Sequence, residues 1–232
     1  VSNAGLAKRT TKPAVVWDLD DTLVMEADYV RSGFDAAATQ LGLAEFSRVC
    51  WRLFQEGVRR TTFDLALQEM GLPVTPERLR ELVGAYRSHR PRIHLLPGVR
   101  EALVELRAAD VFLGIVTDGP ALPQRRKIEA TGLRTLTDAV VLTEDLGVGF
   151  GKPSTKPFEI VAARAARSAM LYVGDNPLKD FQAPLALGWS VLRVRLPESE
   201  HAAVDTPPAI AEADSTQAML AWVRHWTRQR VE

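Results

Sequence analysis

The first sustained pattern in the chain is the apolar run Ala14-Val15-Val16-Trp17, which passes directly into the acidic string Asp18-Leu19-Asp20-Asp21-Thr22. A short, continuous apolar run reads as a strand buried on both faces, so the acids stand at its C-terminal end. From Asp28 to His94 the rhythm becomes helical. Val49, Leu53 and Val58, then Phe63, Leu67 and Met70, recur at helical spacing, with a break at Gly71-Leu72-Pro73. Beyond Leu96-Pro97-Gly98, helical patterns over about 99–108, 121–131, 156–167 and 180–187 alternate with apolar runs that read as strands. Those strands are Val111 to Val116, Ala139 to Leu142, Met170 to Val173 and Val191 to Val194. Pro197 to Asp214 reads as a connection with room for a short final strand, and a last helix follows with Ser215 or Thr216 as its cap.

Strands alternating with helices predict an α/β protein, a Rossmann-like doubly wound parallel sheet covered on both faces. The all-helical stretch interrupts it. The expected division is a core of residues 13–27 and 96–232 with a helical insertion over 28–95. Residues 1–12 are polar and are set apart from the fold. In such sheets ligands bind outside the carboxyl ends of the strands, which directs attention to the residues just after each strand.

Composition narrows the functions. Of 232 residues 46% are hydrophobic, and 29 basic residues balance 29 acidic ones, so no net field draws the molecule toward a nucleic acid polymer. The apolar runs are too short to span a bilayer and no signal-peptide segment is apparent, which predicts a cytoplasmic protein without membrane contact. Cys50 is the only cysteine and reads as a small core residue. His89, His94, His201 and His225 show no ligand spacing and read as surface or packing residues.

The chemistry sits after the strands. Asp18, Asp20 and Thr22 follow the first, Thr117-Asp118-Gly119 the second, and Gly174-Asp175-Asn176 the fourth, with Asp180 just beyond; Lys152 precedes the third core helix. Any one of these is an ordinary cap or turn. Four in this order at one sheet edge suit phosphoryl transfer. Crowded carboxylates repel one another unless a divalent cation joins them, and hard oxygen donors suit Mg2+. One carboxylate can act as covalent nucleophile while Asp20 protonates the leaving oxygen and later activates water. Thr117, backbone N–H groups near Gly119 and the Lys152 ammonium are the expected donors to phosphate, with Asp118 placed in the same phosphate-binding set as an auxiliary polar group. The chain has 23 arginines and six lysines, so a lysine between Gly151 and Pro153 carries some weight, with Lys156 as the alternative.

The strings Asp18-Leu19-Asp20-Asp21-Thr22-Leu23, Thr117-Asp118-Gly119, Gly151-Lys152-Pro153 and Gly174-Asp175-Asn176-Pro177-Leu178-Lys179-Asp180 together resemble the four ordered motifs of the haloacid-dehalogenase-like superfamily. The resemblance runs from Ala14 to Val194, and the helical stretch resembles the small cap inserted after the first motif. It implies Asp18 as nucleophile, Asp20 as acid and base, and phosphate held by Thr117 and Lys152. It also implies Mg2+ on Asp18, the Asp20 carbonyl and Asp175, with Thr22, Asn176 and Asp180 in support. The implied activity is hydrolysis of a small-molecule phosphate ester. The alternatives are phosphotransfer as in mutases, 2-haloacid dehalogenation, which Asp20 argues against, and a phospho-accepting signalling module. An insertion placed here stands over the nucleophile and is expected to select a small, hydrophilic ester. It holds ten arginines, no lysine and eight acids, with Arg59 and Arg60 as candidates for a second anionic group against the alternative of a solvated face.

Overall fold

The computed structural model describes residues 10–230. Strand β1 (Thr10–Trp17) leads through a tight turn into four helices, α1 (Glu26–Leu41), α2 (Ala44–Gln55), α3 (Thr62–Glu69) and α4 (Pro76–Ser88). The chain returns through α5 (Val99–Ala108) to β2 (Phe112–Thr117), α6 (Ala121–Thr131), the short α7 (Leu133–Leu136) and β3 (Ala139–Leu142). A 3-10 turn (Thr143–Leu146), α8 (Lys156–Ala165), β4 (Arg167–Gly174), α9 (Gln182–Ala186), β5 (Ser190–Val194), β6 (Ala211–Ala213) and α10 (Thr216–Arg228) complete it.

The six strands form one sheet in the order β3-β2-β1-β4-β5-β6, and every pairing is parallel. Alternation along the strands feeds two cores. Val15, Trp17, Leu171 and Val173 face a cluster closed by α5 and α10 through Leu103, Met219 and Val223. Ala14, Val16, Met170 and Tyr172 face the opposite cluster, with Phe158 and Val161 of α8. The strand order reverses at β1, where connections leave in opposite directions and open a crevice at the carboxyl ends.

The four inserted helices bury their own cluster, including Phe34, Phe46, Cys50, Leu67 and Leu82. Burial among these side chains pushes the Cys50 thiol up to about 12, which keeps it protonated and unreactive. No helix among the described residues is long and apolar enough to cross a membrane.

Element ends differ from the sequence reading in places. Strand β1 begins at Thr10 and not at Ala14: Thr10 pairs with Arg167 across a register shift, and the Lys12 ammonium is bound to Asp110. Backbone pairing extends the strand through these polar residues without apolar content. Helix α8 stops at Ala165 because Ala166 adopts a left-handed conformation, and Arg167 already belongs to β4. The short final strand is present as β6, and Ser215 is the cap of α10, its side chain accepting from Ala218 N–H.

Candidate active site

The end of β1 is held to β4 by the Asp18 N–H, which donates to the Val173 carbonyl at 2.8 Å. Leu23 and Val24 N–H groups then both bond back to the Leu19 carbonyl, so the acidic string is wound into a tight turn. Asp21 occupies that turn at φ 51°, a left-handed position that Asp tolerates better than most residues. Its carboxylate accepts from the Glu26 N–H, which opens α1, and from the Glu200 N–H, both at 2.9 Å.

Asp18 lies 2.9 Å from the Lys152 ammonium, which is also 2.7 Å from Asp180 and donates to the Tyr172 hydroxyl at 3.1 Å. The Lys152 side chain is wholly buried. Burial alone would lower its pKa, but Asp18 and Asp180 hold it well above the usual lysine range. Close approach of Asp180 depends on Gly174: a Cβ there would stand 2.5 Å from an Asp180 carboxylate oxygen. Asp180 Oδ2 in turn accepts from Asn176 N–H at 2.9 Å. Thr22 is fully buried, and its hydroxyl meets no hydrogen-bond partner among the described residues.

Asp18, Asp175 and Asp180 each place a carboxylate oxygen within 4.8 Å of the others. Among the described residues, Lys152 is the single cation ion-paired with this cluster. Burial, abetted by the charges of Asp18 and Asp180, pushes Asp175 up to about 9, and burial raises Asp18 to about 7 despite Lys152. Three acids against one lysine leave a deficit of positive charge in a buried place. The donors are all hard oxygens, and this charge and chemistry fit a divalent cation such as Mg2+.

Asp20 faces the same crevice from the other side of the turn. One of its oxygens lies 2.6 Å from the Lys127 ammonium, and the other accepts from the Gln124 side chain at 2.8 Å. Both partners stand one turn apart on α6, and Gln124 also donates to the Asp118 carbonyl at 2.6 Å. Lys127 lies 4.3 Å from the centre of the Tyr29 ring, which links this pair to α1.

Two of the expected phosphate contacts, Asp118 and Lys152, already have partners within the protein. The Asp118 carboxylate is taken up by the Thr143 hydroxyl at 2.8 Å, the Lys152 N–H at 3.1 Å and the Lys179 ammonium at 3.3 Å. It pins the Lys152 loop, and although burial opposes this, Lys152 and Lys179 hold its pKa below the ordinary carboxylate value. Lys152 supports Asp18 from within the protein, and Lys127 and Lys179 line the crevice. Thr117, Asp118 and Gly119 all border the crevice with Asp18, Asp20 and Asp175. Lys156, the alternative to Lys152, is an exposed residue at the start of α8.

Sequence reasoning passed over Lys127, Gln124, Lys179 and Arg193. The signal for the lysines was present, since a chain with 23 arginines keeps only six lysines and three of them meet the site acids. Arg193, fully buried on β5, donates to the Asp175 carbonyl at 3.0 Å, the His201 carbonyl at 2.8 Å and the Val204 carbonyl at 2.7 Å. It thereby ties the Asp175 loop to residues 196–206, which form a strap beside the crevice. His201, read from sequence as a surface or packing residue, lies on that strap at the crevice, with Nε2 2.8 Å from the Asn176 amide.

Two adjoining cavities result. The crevice over Asp18 has a volume of about 380 Å³, and a chamber of about 460 Å³ extends from it beneath the inserted helices. Asp21, Glu26, Tyr86, Arg87 and Glu200 line both. Tyr86 reaches this position because Gly33 leaves room for its ring, against which any Cβ would collide. Arg59 is already engaged: it lies 3.9 Å from the Phe54 ring centre, donates to the Phe54 and Val58 carbonyls, and approaches Glu200 at 3.7 Å. Arg60 borders the chamber without such contacts.

Glu26 has no hydrogen-bond or ion-pair partner for its carboxyl among the described residues. Burial, then the charge of Asp20, raises it from 4.5 to about 8, with Lys127 opposing. A folded-state pKa raised in this way leaves stability intact below the unfolded value and removes it as pH rises through about 8. Glu26→Gln is therefore expected to melt closer to the wild type at pH 5 than at pH 8.5. The gap should widen by about 2 °C or more, readable by calorimetry, given the usual Tm shift per kcal/mol for a chain of this length.

The chain matches the family model described as haloacid dehalogenase-like hydrolase over residues 15–194. It is 31% identical over 198 residues to a glyceraldehyde 3-phosphate phosphatase of Methanopyrus kandleri, spanning 78% of this chain and 83% of that one. A phosphoserine phosphatase of Thermus thermophilus is 32% identical over 130 residues, 56% of this chain and 51% of the other, so the chain spans about half of that relative's length. A phosphoglycolate phosphatase of Cereibacter sphaeroides is 29% identical over 169 residues, covering 71% and 77%. Among solved structures, the HAD hydrolase YfnB of Bacillus subtilis, bound to magnesium, superposes with a TM-score of 0.64 at 19% identity, covering 91% of this chain and 98% of that one. That likeness bears on the fold. With the motif residues gathered at the carboxyl ends of β1, β2 and β4 and the family model spanning them all, the chain belongs to the haloacid dehalogenase-like hydrolases.

Proposed function

We propose that the protein is a Mg2+-dependent phosphatase that hydrolyses a small phosphomonoester through an aspartyl-phosphate on Asp18. The observation that carries this reading is the pair of differently held acids at one strand end. Asp18 is buried beside Lys152, and Asp20 is gripped by Lys127 and Gln124 across the same crevice. The phosphatases among its relatives support it.

In this reading an Asp18 carboxylate oxygen attacks phosphorus and the P–O ester bond breaks. Asp20 passes a proton to the departing oxygen, then takes one from the water that cleaves the acyl phosphate and regenerates Asp18. Lys152 favours the ionised form of Asp18, and Gln124 and Lys127 fix the direction of the Asp20 carboxyl. Thr117 and the backbone at Gly119 stand where donors to the phosphoryl oxygens are needed. Mg2+, held by Asp18, Asp175 and the Asp20 carbonyl, would supply the positive charge against which phosphate binds, with Asp180 in support. The helices between β1 and α5 act as a cap that excludes water.

Hydrolysis of p-nitrophenyl phosphate is expected to fall to background in EDTA and to return with added Mg2+. Asp175→Asn should raise the Mg2+ concentration needed for half-maximal rate by about tenfold or more, as loss of a carboxylate in a metal site does. Activity that survives chelation and dialysis would remove the metal from the proposal.

A further inference from the structure

The chamber beneath the inserted helices is out of proportion to a two- or three-carbon leaving group. Its roughly 460 Å³ lies in the range of about 300–1,000 Å³ typical of sites that enclose drug-sized ligands. Part of its wall is apolar and ring-rich, with Phe34, Phe54, Phe63 and Val83, and Arg59, Arg60 and Glu198 border it as well. It has room for more than the small, hydrophilic ester expected from the insertion's place over the nucleophile. The inserted helices turn apolar side chains toward the cavity as well as toward one another, and charge counting along the sequence does not register that.

The passage from crevice to chamber has the opposite character. Asp21, Glu26 and Glu200 stand there with Arg87. Asp21 is occupied by backbone N–H groups and Glu200 approaches Arg59, which leaves the carboxyl of Glu26 and the guanidinium of Arg87 without partners among the described residues. Asp21 and Glu200 disfavour a second phosphate at this point. A carboxyl and a guanidinium facing one passage instead match a unit that both donates and accepts hydrogen bonds, the property of vicinal hydroxyls. Beyond it, the phenyl groups, with Arg59 lying over Phe54, offer an apolar lining to a flat ring system, and Arg60 on the chamber wall offers donors to ring carbonyl or nitrogen acceptors.

Resting on the phosphatase reading, we propose that the leaving group is a nucleoside, with ribose hydroxyls between Glu26 and Arg87 and the base among Phe34, Phe54 and Phe63. The order of the two lobes is that of a nucleoside 5′-monophosphate: phosphate over Asp18, hydroxylated carbons at the passage, flat base in the chamber.

The test compares kcat/KM for the common nucleoside 5′-monophosphates with phosphoglycolate, phosphoserine and glycerol 3-phosphate, in the wild type and in Val83→Trp, which fills the chamber. At least one nucleotide is expected to exceed every small ester by about tenfold or more, and that ratio should fall by about 10- to 100-fold in Val83→Trp, the scale of overfilling a packed space. Turnover of small esters in the variant reports that it is folded. A best substrate of three carbons or fewer, or a preference for nucleotides unaltered in the folded variant, would overturn the proposal. If no ester is hydrolysed by the wild type, the phosphatase reading fails, and calorimetric titration with the free nucleosides decides the chamber separately. Binding that Val83→Trp weakens upholds a nucleoside site; no binding by the wild type ends it.

Discussion

Asp18→Asn is expected to lower kcat by about 10,000-fold or more, because the amide has nearly the shape of the carboxylate but cannot form the acyl phosphate. The side chain is buried at the end of β1, and its N–H bond to Val173 is made by the backbone, so the substitution leaves the strand in place. The variant should also retain its fold, since it removes a charge that burial already penalises: the raised pKa of Asp18, about 7, marks a carboxylate the protein holds at a cost. Rapid-quench experiments with labelled substrate, followed by peptide mapping, should place phosphate on Asp18 in the wild type and on no residue in the variant. Label on any other side chain would refute the nucleophile.

The second large effect concerns Asp20. Asp20→Asn should reduce steady-state turnover by about 100- to 10,000-fold, the range for loss of a positioned acid and base. The two half-reactions are not hit equally. An activated leaving group such as p-nitrophenolate departs without a proton, whereas water attacking the acyl phosphate still needs a base, so phosphoenzyme should accumulate in the variant and give a burst of p-nitrophenol. Because Gln124 and Lys127 both donate to this carboxyl, an asparagine keeps one acceptor oxygen but faces the other donor with its own N–H groups. The absence of a burst, with uniformly slow single-turnover kinetics, would assign Asp20 to the first step alone.

The legible part of the site was the part carried by contiguous strings. Asp18 to Leu23, Thr117 to Gly119 and Gly174 to Asp180 each follow an apolar run, and in a parallel sheet the end of such a run is where ligands bind. What those residues do within the site was less legible. Asp118 and Lys152 read from sequence as phosphate contacts, and nothing in the sequence shows that the Asp118 carboxylate also holds the Lys152 loop or that Lys152 pairs with Asp18. Lys127 and Gln124, on the polar helix α6, look like ordinary polar positions until the helix is laid against the β1 turn. Arg193 lies inside an apolar strand, and the strand pattern does not reveal that backbone carbonyls of Asp175, His201 and Val204 converge on its guanidinium.

By itself the order of apolar runs and helical periods determined the α/β class, the parallel sheet, the place of the helical insertion and the edge at which the acids gather. Those features depend on local periodicity and on the direction of a strand, and both are written in consecutive residues. Tertiary structure alone decided which acid meets which cation, that Gly174 admits Asp180 to Lys152, and that a ring-lined chamber opens from the crevice between Glu26 and Arg87. Those outcomes turn on distances of a few ångströms between segments far apart in the chain, and Coulomb and hydrogen-bond energies change steeply over such distances.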